Sequence, residues 1–240
     1  MLAADGVSLF DPVLAEVIAH WFTPYVGCNI VDPFAGDTMK GLVYAHMGHH
    51  FTGIELRKEQ VDINNDAIQG FDNIKYHCDD GRNILNHVGE CTQDLLMSCP
   101  PYYNLEVYSD LPDDASNQAT YAEFIQILRE AYTAAIRTLK PNRFAVIVIG
   151  DVRDKDGYYV DFLSDVKRIF IENGMKLYNE MVYVEQTGSS FFVAGRYMTN
   201  RKLKKLHQNV LCFYNGNTKD IAKHFPKIEV AEDEEQQPTD

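Results

Sequence analysis

Apolar residues recur with helical spacing over residues 12–22, Pro-Val-Leu-Ala-Glu-Val-Ile-Ala-His-Trp-Phe, with Asp11 placed as N-cap and Pro12 at the first helical position. Asn29-Ile30-Val31-Asp32 then reads as a short buried strand running into the turn Pro33-Phe34-Ala35-Gly36. The pattern continues with a helix from about Met39 to Met47, a strand over Phe51–Glu55, a helix from about Lys58 to Ile68 and a strand over Ile74–Cys78. The apolar run Leu95-Leu96-Met97 is another strand. A polar, acidic loop covers Leu105–Ala119, after which Thr120-x-x-Glu123 forms a capping box for a long amphipathic helix to about Leu139. Phe144–Ile149 is a buried strand and Phe162–Asn173 a helix ending at Gly174, and strand-like stretches at Leu177–Glu185 and Val210–Tyr214 close the pattern.

Strands alternating with helices predict βαβ units, hence an α/β fold with a mostly parallel sheet covered by helices on both faces. Such sheets bind ligands beyond the carboxyl ends of their strands. Asp32, Glu55, Asp80 and Ser98 all fall at or just after predicted strand ends. The chain has 240 residues, enough for a substantial core. No internal repeat or Pro/Gly/Ser linker divides it, so residues 1–228 read as one domain.

Residues 98–104, Ser-Cys-Pro-Pro-Tyr-Tyr-Asn, carry the most pointed chemistry. Two adjacent prolines can neither continue a helix nor donate to a sheet ladder. The chain therefore leaves its strand in a stiff turn whose carbonyls lack local partners, with the Tyr102 ring following at once. Carbonyl acceptors beside a flat ring suit a planar group bearing an exocyclic amine, such as a nucleobase. Asp32-Pro-Phe-Ala-Gly-Asp-Thr38 is a strand-to-helix turn without the G-x-G-x-x-G dinucleotide fingerprint, and its acid suits a cationic or amino ligand better than a pyrophosphate. Glu55 occupies the place where nucleoside-binding α/β folds put a ribose-binding acid. Asp80 could accept from an adenine amine.

Charge narrows the partners. The net charge of −13 argues against non-specific coating of nucleic acid. It is unevenly spread, however. Glu229–Asp240 holds six acids and no base, a low-complexity tail whose composition predicts disorder. Arg196–Lys205 holds five bases and no acid. Arg196, Arg201, Lys202, Lys204 and Lys205 are therefore the candidates for phosphate contacts, within a small contact segment of about residues 186–207.

Five scattered cysteines without a C-x-x-C pair read as reduced thiols, with neither disulfides nor a metal site. The N-terminus shows no signal-peptide pattern, and the longest apolar run is too short to span a bilayer. The expected setting is cytoplasmic.

The ordered set of motifs resembles the S-adenosylmethionine-dependent DNA amino-methyltransferases, which modify N4 of cytosine or N6 of adenine. The match runs over roughly residues 8–216. Asp32-Pro33-Phe34-Ala35-Gly36 resembles that family's methyl-donor loop, Gly53-Ile54-Glu55 its ribose-binding acid, and Cys99-Pro100-Pro101-Tyr102 its catalytic motif. The helix after Phe10 is similar to the segment packed over the donor's methionine end.

The resemblance implies a Rossmann-like class I methyltransferase fold and S-adenosylmethionine as cofactor. It also implies a flipped DNA base as substrate and direct in-line transfer. Implied catalytic residues are Ser98, Cys99, Pro100, Pro101 and Tyr102. Implied donor contacts are Phe10, Asp11, Asp32, Pro33, Phe34, Ala35, Gly36, Thr38, Glu55, Leu56 and Asp80. The donor loop precedes the catalytic motif, a permuted order relative to one large branch, and compact enzymes of this kind are typical of phages and of restriction-modification.

Two departures stand out. The loop continues Gly36-Asp37-Thr38-Met39-Lys40-Gly41 rather than Gly-Ser-Gly-Thr, and Cys99 replaces the family's usual Asp, Asn or Ser. An uncharged thiol, close to serine in size, favours cytosine N4 slightly over adenine N6. The same turn would also suit an RNA base or a protein glutamine, and a catalytically silent binding protein is a reading from another class. So short a chain leaves little room for a recognition domain, which makes a homodimer one expectation.

Overall fold

In the computed structural model, residues 9–103, 109–184, 195, 197–203 and 205–229 are described. Arg196, Lys204, the acidic tail from Val230 and half of the 186–207 segment lie outside them. The first half of the chain runs α1 (Pro12–Phe22), β1 (Asn29–Asp32), α2 (Met39–His46), β2 (His50–Glu55), α3 (Lys58–Ala67), β3 (Ile74–Cys78) and β4 (Gln93–Ser98). The second half runs α4 (Tyr121–Thr138), β5 (Leu139–Ile149), α5 (Phe162–Glu172), β6 (Lys176–Val184) and β7 (His207–Tyr214).

The seven strands form one sheet in the order β3-β2-β1-β4-β5-β7-β6, parallel except for β7, which runs antiparallel to both β5 and β6. Strand order reverses between β1 and β4. That is the switch point at which doubly wound sheets open a crevice at their carboxyl ends.

The helices assemble for identifiable local reasons. Asp11 caps α1, its carboxylate accepting from Leu14 N–H at 2.9 Å. Thr120 and Glu123 make the reciprocal capping box of α4, a feature worth about 1 kcal/mol. One core fills the α4/α5 side of the sheet, including Phe124, Tyr132, Phe170 and Phe213; Phe170 and Phe213 stack at 4.3 Å. The other fills the α1/α2 side, including Ile18, Tyr44, Phe51 and Val146. At the amino ends of the strands, far from the crevice, the buried Asp94 carboxylate gathers Tyr25, the Asn29 amide, Lys140 and Arg143.

Several boundaries differ from the sequence reading. β5 begins at Leu139 rather than Phe144: Pro141 and Asn142, the latter at φ +59°, are absorbed by a register shift opposite Gln93 and Leu95. β7 begins at His207 rather than Val210, so His207 is a strand residue and not part of the basic segment. A 3₁₀ helix over Gly81–Asn86, unmarked by any apolar period, follows β3. Its first residue must be glycine, because a Cβ there would stand 2.4 Å from the Pro33 carbonyl oxygen.

Candidate active site

The carboxyl ends of β1, β2, β4 and β5 open into one cleft of about 870 Å³. It reaches from Phe10 and Asp11 at the start of α1, past the β1–α2 turn, to Cys99–Tyr102 beyond β4 and Gly150–Asp151 beyond β5. Of the residues singled out from sequence, Phe10, Asp11, Pro33, Phe34, Ala35, Gly36, Glu55, Leu56, Asp80, Cys99, Pro100, Pro101, Tyr102 and Lys205 all line it.

Three do not. Asp32, Thr38 and Ser98 are fully buried behind the wall. The strand end places Asp32 inward, where its carboxylate accepts from Lys40 Nζ at 2.5 Å and from the Phe34 amide. Thr38 donates to Asn64 Oδ1 at 2.8 Å, tying the turn to α3. Ser98 is the last β4 residue and faces the core, where Tyr132 Oη lies 3.5 Å away. These three support the cleft rather than line it. Arg201 and Lys202 are exposed and lie outside the lining.

The donor-loop half is built around Gly36 and Glu55. Gly36 takes φ +60°, which a side chain would strain, and the space above it is open. Its amide donates to Glu55 Oε2 at 3.0 Å, while Oε1 accepts from the Arg57 amide at 2.9 Å. Burial pushes the Glu55 carboxyl up to about 7 against the pull of those two amides. Asp37 holds Phe10 in place through the Phe10 amide, at 2.8 Å. Burial raises its carboxyl, with Lys40 and two backbone amides opposing. Asp11 accepts from Tyr183 Oη at 2.7 Å, joining α1 to β6.

Asp80 comes with a partner that the sequence reading left out. It reaches the cleft, but both its oxygens are held by Arg82, the shortest contact being 2.6 Å to Nη2. The same guanidinium grips Asp113 at 2.6 Å, and Asp113 and Asp114 themselves line the cleft. The acidic loop, as far as residues 109–119 are described, thus forms part of the wall of the cleft.

At the other end, the double-proline turn is stitched to the neighbouring strands. Gly150 N–H donates to Tyr102 Oη, and Tyr102 Oη donates to Gln208 Oε1, both at 2.9 Å. The ring edge meets Phe162 at a centroid distance of 6.4 Å. Lys205, at the cleft edge, donates to Asn209 at 3.2 Å.

Sequence reasoning missed Lys40, Asp37, Arg57, Gly150, Asp151, Tyr183 and Gln208. Gly150-Asp151 follows a recognised strand and was open to the rule that exposed Glu55. Gln208 and Tyr183 carry no local signal.

The residues fit S-adenosylmethionine. Apolar Phe10, Pro33, Phe34, Ile54 and Leu56 flank a carboxylate set suited to a diol and a cationic end, above a turn left open by glycine.

Comparison with solved structures places the architecture among Rossmann-like methyltransferases. The chain is similar to TrmN from Thermus thermophilus, with a TM-score of 0.59 and 16% identity over 85% of this chain and 49% of that one. It thus spans about half of TrmN's length. It is also similar to the [4+2]-cyclase SpnF, with a TM-score of 0.59 and 14% identity over 89% and 88% of the two chains. A SAM-dependent methyltransferase from Methanosarcina mazei gives a TM-score of 0.54 and 11% identity over 85% and 97%.

No curated protein matches in sequence. Residues 93–240, however, match the N6/N4 methyltransferase family, described as DNA methylase. The chain belongs to that family, whose methyl donor is S-adenosylmethionine. Among the described residues no helix is long and apolar enough to cross a membrane.

Proposed function

We propose that the chain transfers a methyl group from S-adenosylmethionine to the exocyclic amino nitrogen of a DNA base flipped into the cleft, with N4 of cytosine favoured over N6 of adenine. The observation that carries this reading is that the Cys99–Tyr102 turn and the Gly36/Glu55 turn open onto one continuous cleft. Bound there, the donor supplies an electrophilic methyl carbon on a sulfonium.

Everything else falls to the chain. Glu55 would accept from the ribose hydroxyls, Asp11 and Asp37 would face the amino end, and Phe34 and Leu56 would pack on the nucleoside. Carbonyls of Cys99 and Pro100 would accept the amino hydrogens and draw the nitrogen's lone pair out of the ring, while Tyr102 stacks on the base. Holding both reactants in line is worth up to about 7–11 kcal/mol, so no covalent enzyme intermediate is needed. Arg201, Lys202 and Lys205 would meet phosphates. The preference for cytosine rests on Cys99, which brings no carboxylate to the amine.

Incubation with labelled donor and mixed-sequence DNA, followed by nucleoside mass spectrometry, tests this directly. N4-methylcytosine is the expected product; N6-methyladenine would reverse the choice of base, and neither product would overturn the reading.

Donor binding should also depend on pH. The ribose hydroxyls need an ionised Glu55, whose carboxyl titrates at about 7. Calorimetric affinity is expected to weaken about tenfold between pH 8 and pH 6, as the ionised fraction falls. Glu55→Gln should flatten the profile. The ligand-free fold behaves oppositely. A raised carboxyl favours the protonated native state, and that contribution is lost as pH rises from 4.5 through about 7.

A further inference from the structure

An amino nitrogen that gains a methyl group must lose a proton, and the acceptors of the double-proline turn are poorly suited to take it. Backbone carbonyls are too weakly basic to hold a proton, and Cys99 brings no carboxylate.

Among the described residues, seven carboxylates line the cleft: Asp11, Asp37, Glu55, Asp80, Asp113, Asp114 and Asp151. Six are held. Asp11, Asp37, Glu55 and Asp114 each have both oxygens engaged by amides or hydroxyls. Asp80 and Asp113 are ion-paired to Arg82. Asp151 differs: among the described residues only its Oδ1 is engaged, by the Phe162 amide at 3.2 Å, and no basic side chain there forms an ion pair with it.

Its placement follows from the sheet. β4 and β5 are parallel neighbours with Ser98 opposite Ile147. Tyr102 and Asp151 each lie four residues beyond that pair, so the two chain segments leave the sheet side by side. The 2.9 Å bond from Gly150 N–H to Tyr102 Oη holds them there.

We propose that Asp151 is a further catalytic residue, taking the proton that the substrate amine loses. This rests on the amino-methyl-transfer reading above. In the step, the nitrogen lone pair forms the N–C bond, and the C–S bonding pair leaves with sulfur, which becomes a neutral thioether. The nitrogen, now cationic, gives one proton to the Asp151 carboxylate and becomes a neutral methylamino group. The resulting carboxylic acid returns that proton to water after product leaves. Tyr121, Asp161 and Asp165 stand nearby as acids or hydrogen-bonded phenol; none competes as a cation for Asp151.

Asp151→Asn keeps an oxygen to accept from Phe162 N–H, so the start of α5 should survive, whereas Asp151→Ala removes it. Single-turnover transfer to DNA, donor affinity by calorimetry and thermal midpoint are measured for both variants. Asp151→Asn is expected to slow transfer about 10²- to 10⁴-fold, with donor affinity and midpoint close to wild type. Asp151→Asn turning over within about threefold of wild type, while Asp151→Ala fails, would assign Asp151 to helix capping and overturn the proposal. Two fully active variants would overturn it as well. A wild-type chain unable to methylate DNA would instead overturn the reading beneath it, which separates the two failures.

Discussion

Tyr102→Ala is expected to lower methyl transfer at least about 100-fold while leaving donor affinity within about twofold. Both figures follow from where the ring sits. Stacking of a base on an aromatic side chain is worth about 1–3 kcal/mol, or roughly 5- to 150-fold. Misplacement of the amine by an ångström adds a comparable loss.

The ring is built to hold one pose. Its hydroxyl is clamped between Gly150 N–H and Gln208, and its edge rests on Phe162. None of these partners belongs to the Gly36/Glu55 half of the cleft, so donor binding should not register the change. Tyr102→Phe keeps the ring and removes the clamp, leaving the Gly150 amide without its hydroxyl acceptor. A loss of about 1–2 kcal/mol, seen as a roughly 5- to 30-fold fall in kcat at unchanged donor affinity, is expected for that variant. Should donor affinity collapse along with transfer in Tyr102→Ala, the division of the cleft into a donor half and a base half would be wrong.

The order in which these features were legible follows the range of the interactions that make them. The Pro-Pro-Tyr turn and the Asp-Pro-Phe-Ala-Gly turn are local: proline geometry and a positive-φ glycine determine them within a few residues, so both appear in the sequence and both line the cleft. Glu55 is legible for a related reason, since a strand end fixes where its side chain emerges.

Asp32 misled by the same rule. Its strand end is real, but the carboxylate turns inward because Lys40, eight residues on, reaches back from α2 to meet it. Nothing short-range marks Lys40 as buried. The arginine that holds Asp80 from two residues further on was likewise not read from the sequence. Gln208 clamps Tyr102 across 106 residues of sequence, a pairing that only the sheet order creates. The start of β5 was hidden by Pro141, which sequence rules treat as a strand breaker but which a register shift accommodates.

Lys40 is also where the largest loss of stability is expected. Its side chain is 3% exposed and its Nζ stands 2.5 Å from the fully buried Asp32 carboxylate. Burial opposes the charge, but the carboxylates of Asp32 and Asp37, with Cys99 nearby, more than offset it and hold the ammonium above the ordinary lysine value. The pair's contribution therefore persists through neutral pH and is lost only as pH rises above about 10.5.

Removing one member of a buried pair strands the other. Lys40→Met would leave the fully buried Asp32 carboxyl without its ammonium partner and close to Asp37, whose own carboxyl is raised by burial. The expected cost is about 3–5 kcal/mol of unfolding free energy at pH 7, read from the midpoint of urea denaturation. That is a large share of the roughly 5–15 kcal/mol typical of a folded domain.

Asp32→Asn combined with Lys40→Met removes both charges. It should recover most of that loss, because the penalty belongs to the orphaned carboxylate and not to missing methylenes. The double variant also separates scaffold from site. Lys40 Nζ lies 5.4 Å from the Phe10 ring centroid, and Phe10 is held by Asp37 at the donor end of the cleft. Stability restored without donor affinity would mean that the buried pair shapes the donor wall. Additive single and double effects would mean instead that Lys40 and Asp32 are not energetically coupled.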